Sequence, residues 1–213
     1  MRERNALLER GAVDPGWADA IEARMAEAGA EIALNRALIL QRLQAEIDAR
    51  AEGAFPKADL ALDGPAETAA LHAADSTAIE DELIEAFRMG RRRDMAAGRT
   101  LSGPQRSDLL VVHRPTGAPA RDASTGQQKA LLIGLILASA TALSLRSDGP
   151  PPLILLDEAA AHLDADRRAA LFDELSNMPG QAWLTGTEAF LFEAFGDRAQ
   201  RIDVQDGSAT PVT

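Results

Sequence analysis

Four consecutive apolar residues, Leu153-Ile154-Leu155-Leu156, run directly into two acids, Asp157-Glu158. Pro150-Pro151-Pro152 precede them. A run this short and this apolar, between prolines and carboxylates, reads as a strand buried on both faces, as in the centre of a parallel sheet. Parallel strands need crossover helices. Helical patterns flank the run over residues 127–145 and 164–175, and residues 181–184 and 201–204 are further short strand candidates. Alternating strands and helices of this kind define an α/β layer.

The first half has a different texture. From Trp17 to Arg50, Ile21, Met25, Ala28, Ile32, Ile39, Leu43 and Ile47 recur at helical spacing with charges between them. Asp14-Pro15-Gly16 is the turn that starts this helix. At ~1.5 Å per residue it approaches ~50 Å, a length that suits a protruding arm or short coiled coil. Residues 58–63 alternate weakly as a strand that ends at Gly64-Pro65. Ser76 is the expected N-cap of a second helix, with Leu83, Ile84, Phe87 and Met89 as its apolar face and Gly98 closing it. Residues 109–113 read as a strand ending at Pro115-Thr116-Gly117, residues 147–152 as a break, and the tail 208–213 as frayed.

The formal charge is −11, against a stand-alone DNA binder, because phosphate contacts need Lys and Arg. Arg91, Arg92 and Arg93 are the densest basic run, and a solvated helix face is the simplest account of it. If DNA is bound, Arg88, Arg91, Arg92 and Arg93 are the candidates, unless the basic residues come from a lobe this sequence lacks. There is no Cys, which excludes disulfides and thiolate metal sites. His72, His113 and His162 are far apart and read as surface or loop residues. Trp17 and Trp183, outside any basic aromatic cluster, read as packing residues. The N-terminus has no signal-peptide pattern. The apolar stretch 130–145 suits a buried helix better than a membrane span, so a cytoplasmic protein without membrane association is expected.

Asp157 and Glu158 stand at the C-terminal edge of their strand, where open α/β sheets bind ligands, in the form of a Walker B motif. Asp157 would hold Mg²⁺, largely through water, and Glu158 would orient or deprotonate an attacking water. Two acids after a strand are also common as helix N-terminal residues favoured by the helix dipole. Upstream, Ser124-Thr125-Gly126-Gln127 opens the long helix, where backbone N–H groups and a hydroxyl can face an anion. An ordinary Ser N-cap accounts for it equally well. Downstream lies Ala161-His162-Leu163-Asp164.

In that order these segments resemble the ATP-binding-cassette ATPases. Ser124-Thr125-Gly126-Gln127 is similar to their signature motif, with Thr125 where Gly is more usual, and Ala161–Asp164 is similar to their D-loop. The resemblance implies that Ser124 and Gly126 contact the γ-phosphate of ATP held by a second subunit, with ATP-driven dimerisation. Leu101-Ser102-Gly103-Pro104-Gln105-Arg106-Ser107-Asp108-Leu109 resembles the Gly-Pro-His-Arg-x-Asp-Leu segment of the RecF family of DNA gap-repair ATPases, with Gln105 in place of His. Arg4-Asn5-Ala6-Leu7-Leu8 and Asn35-Arg36 resemble that family's arm, and Trp183-Leu184-Thr185-Gly186-Thr187 its switch strand.

The resemblance implies a helical arm over 1–98 and the C-terminal half of an ABC-type P-loop ATPase head over 99–213. It implies ATP and Mg²⁺ as cofactors, with Ser124, Thr125, Gly126, Gln127, Asp164 and Thr185 facing nucleotide, Asp157 the metal, and Glu158 catalytic. It also implies homodimerisation with ATP, binding at single-strand/double-strand DNA junctions, recombination mediator proteins as partners, and SOS-linked gap repair.

The sequence contains no Gly-x-x-x-x-Gly-Lys-Ser/Thr loop. Its two lysines follow Pro56 and Gln128. The chain is therefore expected to be a C-terminal portion lacking the Walker A lobe, inactive as an ATPase alone, with apolar surface on 153–156 uncovered. The alternatives are a non-catalytic half-head that supplies its signature motif in trans, or another ABC or chromosome-maintenance-like ATPase. Transporters usually carry His at the switch, and chromosome-maintenance heads have far longer coiled coils.

Overall fold

The computed structural model describes residues 1–9, 14–72, 74–145 and 149–212. The break expected at 147–152 and the end of the tail lie partly outside these. The chain divides into two compact units, residues 1–44 with 59–111, and residues 45–58 with 112–213. Three elements have residues in both units: helix α2 (Pro15–Ala49), strand β1 (Ala58–Asp63) and strand β2 (Asp108–His113).

The first unit holds α1 (Arg2–Glu9), most of α2, β1 (Ala58–Asp63), α3 (Pro65–Leu71) and α4 (Ser76–Ala97). The long helix is present, and Ile21 and Ile47 of the expected face are buried, but its middle buries small residues instead. Ala18, Ala26, Ala30, Ala33 and Ala37 are buried, while Ile32 and Ile39 are 44% and 61% exposed. The cause is close packing. A Cβ on Gly29 would lie 2.9 Å from the Leu83 side chain and 3.5 Å from Pro104. Only small residues fit along that seam, so Ala26, Ala30 and Ala33 pack against Ile79, Leu83 and Phe87 of α4. The N-cap of α4 is Asp75, whose carboxylate accepts from the Ala78 N–H at 2.8 Å, rather than Ser76, which is the first helical residue. Gly98 ends α4 in the left-handed conformation, as expected. The short helix α3 has no counterpart in the sequence reading.

The second unit holds the end of α2, β3 (Ala118–Pro119), α5 (Thr125–Ser144), β4 (Leu153–Leu156), α6 (Ala165–Asn177), β5 (Gln181–Leu184), β6 (Arg201–Gln205) and β7 (Ser208–Val212). β4 and β5 pair in parallel, with Leu155 opposite Trp183. Ile154 and Leu156 face a core shared with Ile133 and Leu137 of α5 and Leu171, Phe172 and Leu175 of α6. Leu153 and Leu155 point away from it and are 56% and 70% exposed. The strand is thus buried on one face, not on both: among the described residues, the helices that cross over cover the Ile154 and Leu156 side alone.

α5 is long and apolar enough to cross a membrane by length and composition, but Ala130, Leu131, Ile133, Leu137 and Ala140 are buried in the protein, the pattern of a core helix. The tail is not frayed. β6 and β7 form an antiparallel hairpin across Asp206-Gly207, both at positive φ. His113 is buried, with Nδ1 at 2.9 Å from the Thr116 hydroxyl, and is not a surface residue. Trp17 and Trp183 are 55% and 50% exposed and are not packing residues of either core.

Candidate functional site

The end of β4 is built by a hydrogen-bond pattern that continues the parallel ladder by one residue. The Thr185 N–H donates to the Leu156 carbonyl at 3.0 Å, which carries Thr185 alongside Asp157. The Thr185 hydroxyl then makes two contacts. It donates to Asp157 Oδ1 and accepts from the Glu158 N–H at 3.2 Å. Glu158 has φ of 52°, the left-handed region that side chains rarely occupy. Such a conformation costs about 1–3 kcal/mol and persists where the surroundings hold it. Here the Thr185 hydroxyl holds the Glu158 N–H. Asp157 is exposed and Glu158 half-buried. Sequence-predicted Asp157, Glu158 and Thr185 therefore form one cluster.

A single-turn helix, Ala160–His162, follows, and buried Leu163 anchors the loop in the core. Asp164 then caps α6: its Oδ1 accepts from the Arg167 N–H at 2.8 Å, and its Oδ2 lies 3.5 Å from the Arg167 guanidinium.

Ser124 caps α5 through a reciprocal box. Its hydroxyl accepts from the Gln127 N–H at 3.3 Å, and the Gln127 side-chain oxygen accepts from the Ser124 N–H at 3.0 Å. Gln128 braces the preceding turn by donating to the Ala120 and Arg121 carbonyls at 3.0 and 3.1 Å. Thr125 and Gly126 are exposed, and a Cβ on Gly126 would meet nothing within 4 Å. Among the described residues, no hydrogen bond or ion pair joins Ser124–Gln127 to Asp157, Glu158 or Asp164. The four signature-like residues and the acid cluster are separate surfaces of one unit.

No group of three or more His, Cys, Asp or Glu is arranged to hold a metal ion among the described residues. That donor set does not fit an all-protein cage. One exposed carboxylate at the end of a strand does fit Mg²⁺, which takes one or two carboxylates and completes its shell with phosphate oxygens and water.

One constellation in the first unit was not legible beforehand. Arg4 is fully buried and spreads its guanidinium over four acceptors: Glu22 Oε1 at 2.9 Å, Asp94 Oδ2 at 2.8 Å, the Thr100 hydroxyl at 2.9 Å and the Phe87 carbonyl at 2.7 Å. Glu22 is also held by Arg91, which bonds Asp19 as well. The hydrogen bond from Arg91, with its positive charge, holds the Asp19 carboxyl below the ordinary value, and the Glu22 and Asp19 carboxylates raise Arg91. Thr100 hydrogen-bonds Asn5 Oδ1 through its N–H and its hydroxyl. Beside it, Arg36 donates to Glu67 Oε1 at 2.8 Å and to the Pro104 carbonyl at 2.6 Å, and the Ser107 hydroxyl donates to Glu67 Oε2 at 2.6 Å. These two networks fix residues 100–107 on the helices. The available signal was the placement of Arg4 and Glu22 within otherwise apolar helical spacing.

A parallel strand pair ending in adjacent acids, a capped helix opening on Ser-Thr-Gly-Gln, and an aspartate-capped helix after the acids are the α/β arrangement expected of the C-terminal half of an ABC-type ATPase head. Comparison with known proteins finds similarity to RecF proteins. The chain is 49% identical over 213 residues to the DNA replication and repair protein RecF of Brucella abortus, covering 100% of this chain and 55% of that protein. The RecF protein of Mesorhizobium japonicum is 49% identical over 212 residues, and that of Caulobacter vibrioides 49% over 214, each again with 55% of its length covered. A solved structure of the recombination mediator protein RecF-ATPrS in the RecFOR pathway superposes with a TM-score of 0.77 at 18% identity, over 100% of this chain and 56% of that one. No protein-family model matches. The chain spans about half the length of the curated relatives it matches.

Proposed function

We propose that this chain forms the signature, Walker B and D-loop half of a RecF-type ATP-dependent DNA-binding protein acting in recombinational gap repair. Residues 1–98 serve as the arm and residues 99–213 as the partial head. The observation that carries the reading is the Asp157–Glu158–Thr185 cluster at the C-terminal edge of the parallel pair. Similarity to about half the length of RecF proteins supports it.

Asp157 would hold Mg²⁺, which when bound neutralises phosphate charge and orients the terminal phosphate. Glu158 orients a water for in-line attack and takes its proton. Thr185 fixes the distance between the two acids through one hydroxyl. Thr125 and Gly126 offer their N–H groups and Ser124 its hydroxyl, at the positive end of a twenty-residue helix whose cap Gln127 closes, to the γ-phosphate of a nucleotide held by a partner subunit. Asp164 lines the same dimer contact. The β- and γ-phosphates need a lysine and a glycine-rich loop, which these residues do not include, so a nucleotide-binding half completes the site. Dimerisation with ATP, binding at single-strand/double-strand junctions, an SOS-linked role and contact with recombination mediator proteins belong to this reading.

One observation favours a structural consequence. Leu153, Leu155 and Trp183 form an exposed apolar face on a parallel pair, and parallel sheets are stable when both faces are covered. The nucleotide-binding half supplies that cover. Ser124→Arg tests the trans contact: it should abolish ATP-dependent dimerisation of the completed protein while leaving its fold unchanged. Dimerisation that survives Ser124→Arg would remove the signature role.

A further inference from the structure

We infer that Arg50 is a positioning residue for the contact with the partner subunit's nucleotide: it sets the helix that opens on Ser124 against the helix that Asp164 caps. The inference rests on the RecF-type reading above.

Arg50 directly follows the last residue of α2 and lies within the second unit. Its guanidinium serves two helices at once. Nη1 donates to the Gly134 carbonyl of α5 at 2.9 Å, and Nη2 donates to both carboxylate oxygens of Glu174 on α6 at 2.7 Å. A planar fork holds two partners in fixed directions, which an ammonium on a flexible stem does not. α5 admits the arginine because residue 134 is glycine. A Cβ there would lie 3.4 Å from Phe55 Cβ and 3.5 Å from Arg50 Nη1. Phe55 is buried in the core that Leu137 of α5 and Leu171 of α6 share.

The placement of the clamp gives it a consequence at the candidate site. Gly134 lies ten residues after Ser124, and Glu174 ten after Asp164. At ~1.5 Å per residue, each interval is ~15 Å of rigid helix. Tying the two helices at matched depth sets how their N-terminal ends stand to each other, and those ends carry the two segments that would face the partner's nucleotide. Ser124–Gln127 and Asp164 share no hydrogen bond or ion pair among the described residues, so their relation is carried by the helices.

The fold does not need this clamp for cohesion. Apolar contacts already join α5 and α6. The Arg50 and Glu174 side chains are 24% and 36% exposed, and partly exposed pairs add little stability. Apolar burial is non-directional, whereas a bidentate fork is directional. The arginine therefore adds geometry more than adhesion. Misplacing a reacting group by about 1 Å costs up to ~100-fold in rate, so the effect belongs in turnover.

The test uses the completed protein, this chain joined to the nucleotide-binding portion of a RecF protein, with ATP as the probe. Arg50→Met should lower kcat and ATP-dependent dimerisation by about tenfold or more, with ATP affinity of the monomer kept within about twofold and Tm little changed. Glu174→Gln should lower kcat in the same direction by less, and adding it to Arg50→Met should cost nothing further, because both act through one contact. Arg50→Lys should not restore turnover. Thermal denaturation checks each fold, and Glu174→Gln decides if Arg50→Met does not fold. Turnover and dimerisation equal to wild type in the folded variants overturn the positioning role and leave the RecF-type reading standing. A loss of kcat matched by losses of ATP affinity and Tm also overturns it, since the arginine would then be holding the fold alone. A wild-type completed protein that neither dimerises with ATP nor turns it over defeats both the inference and the reading beneath it.

Discussion

The hydroxyl of Thr185 joins the two acids that end β4, donating to Asp157 Oδ1 and accepting from the Glu158 N–H at 3.2 Å. One side chain from the neighbouring strand thus sets both the candidate metal ligand and the backbone strain of the candidate catalytic residue. Thr185→Val keeps the shape and removes the bridge. In a RecF-type protein completed with a nucleotide-binding half, it should lower ATP turnover about tenfold or more, the scale of losing one positioned group. Thr185→Ser should restore most of it. Stability should change by less than about 1 kcal/mol, because the site is exposed. Turnover unchanged in Thr185→Val would show that the bridge plays no part.

The buried Arg4 network makes a stability prediction. Arg4→Met leaves the Asp94 and Glu22 carboxylates buried with part of their partners gone. Removing one partner of a buried ion pair costs about 3–5 kcal/mol. Arg4→Lys should fail to rescue, since one ammonium cannot reach four acceptors spread around a planar fork. Urea denaturation followed by circular dichroism measures both. A loss below about 1 kcal/mol would mean the network is not maintained in solution.

Asp19 gives a pH dependence with a definite sign. Its folded pKa lies below the ordinary 3.8 because Arg91 bonds it. Its contribution to stability is complete above the unfolded value and is lost as the pH falls through the lower folded value. Wild type should therefore be slightly more stable than Asp19→Asn at neutral pH, with the difference closing as the pH falls below 3.8. The margin is small because the pair is solvent-exposed and screened by salt. A difference that grows on acidification would contradict the pairing.

Gly103 has φ of 110° and would place a Cβ 2.8 Å from the Gln105 side-chain oxygen and 3.2 Å from Phe87. Gly103→Ala should cost about 1–3 kcal/mol through backbone strain and crowding. Gly117→Ala, at φ of 67° with nothing within 4 Å, should cost less. Paired thermal denaturation curves decide the order. Equal losses would mean that contact with Phe87 adds nothing to the strain.

The sequence was most informative where local pattern and tertiary role coincide. Leu153–Leu156, the helix after Ser124 and the Gly98 stop each carry their own signal, and each is found where expected. The acids and Thr185 were named from motif order, although their shared hydroxyl depends on strand register, which no single segment encodes. The middle of α2 departs from the expected face, at Ile32 and Ile39, because close helix contact there selects alanine over isoleucine, and that selection is made by Leu83 and Pro104 from elsewhere in the chain. The same long-range dependence hid the Arg4 network, whose partners lie 18 to 96 residues away. The pairing of the tail into β7 is a local feature, signalled by the hairpin-turn dipeptide Asp206-Gly207.

On the proposed reading these residues complete, and do not replace, a nucleotide-binding half. The most direct measurement is ATP hydrolysis by the chain alone, by the chain combined with the portion of a RecF protein that it does not match, and by that combination carrying Glu158→Gln. The expected result is no turnover by the chain alone, turnover by the combination, and loss of turnover with retained ATP binding in Glu158→Gln. Turnover by the chain alone that Glu158→Gln abolishes would contradict it.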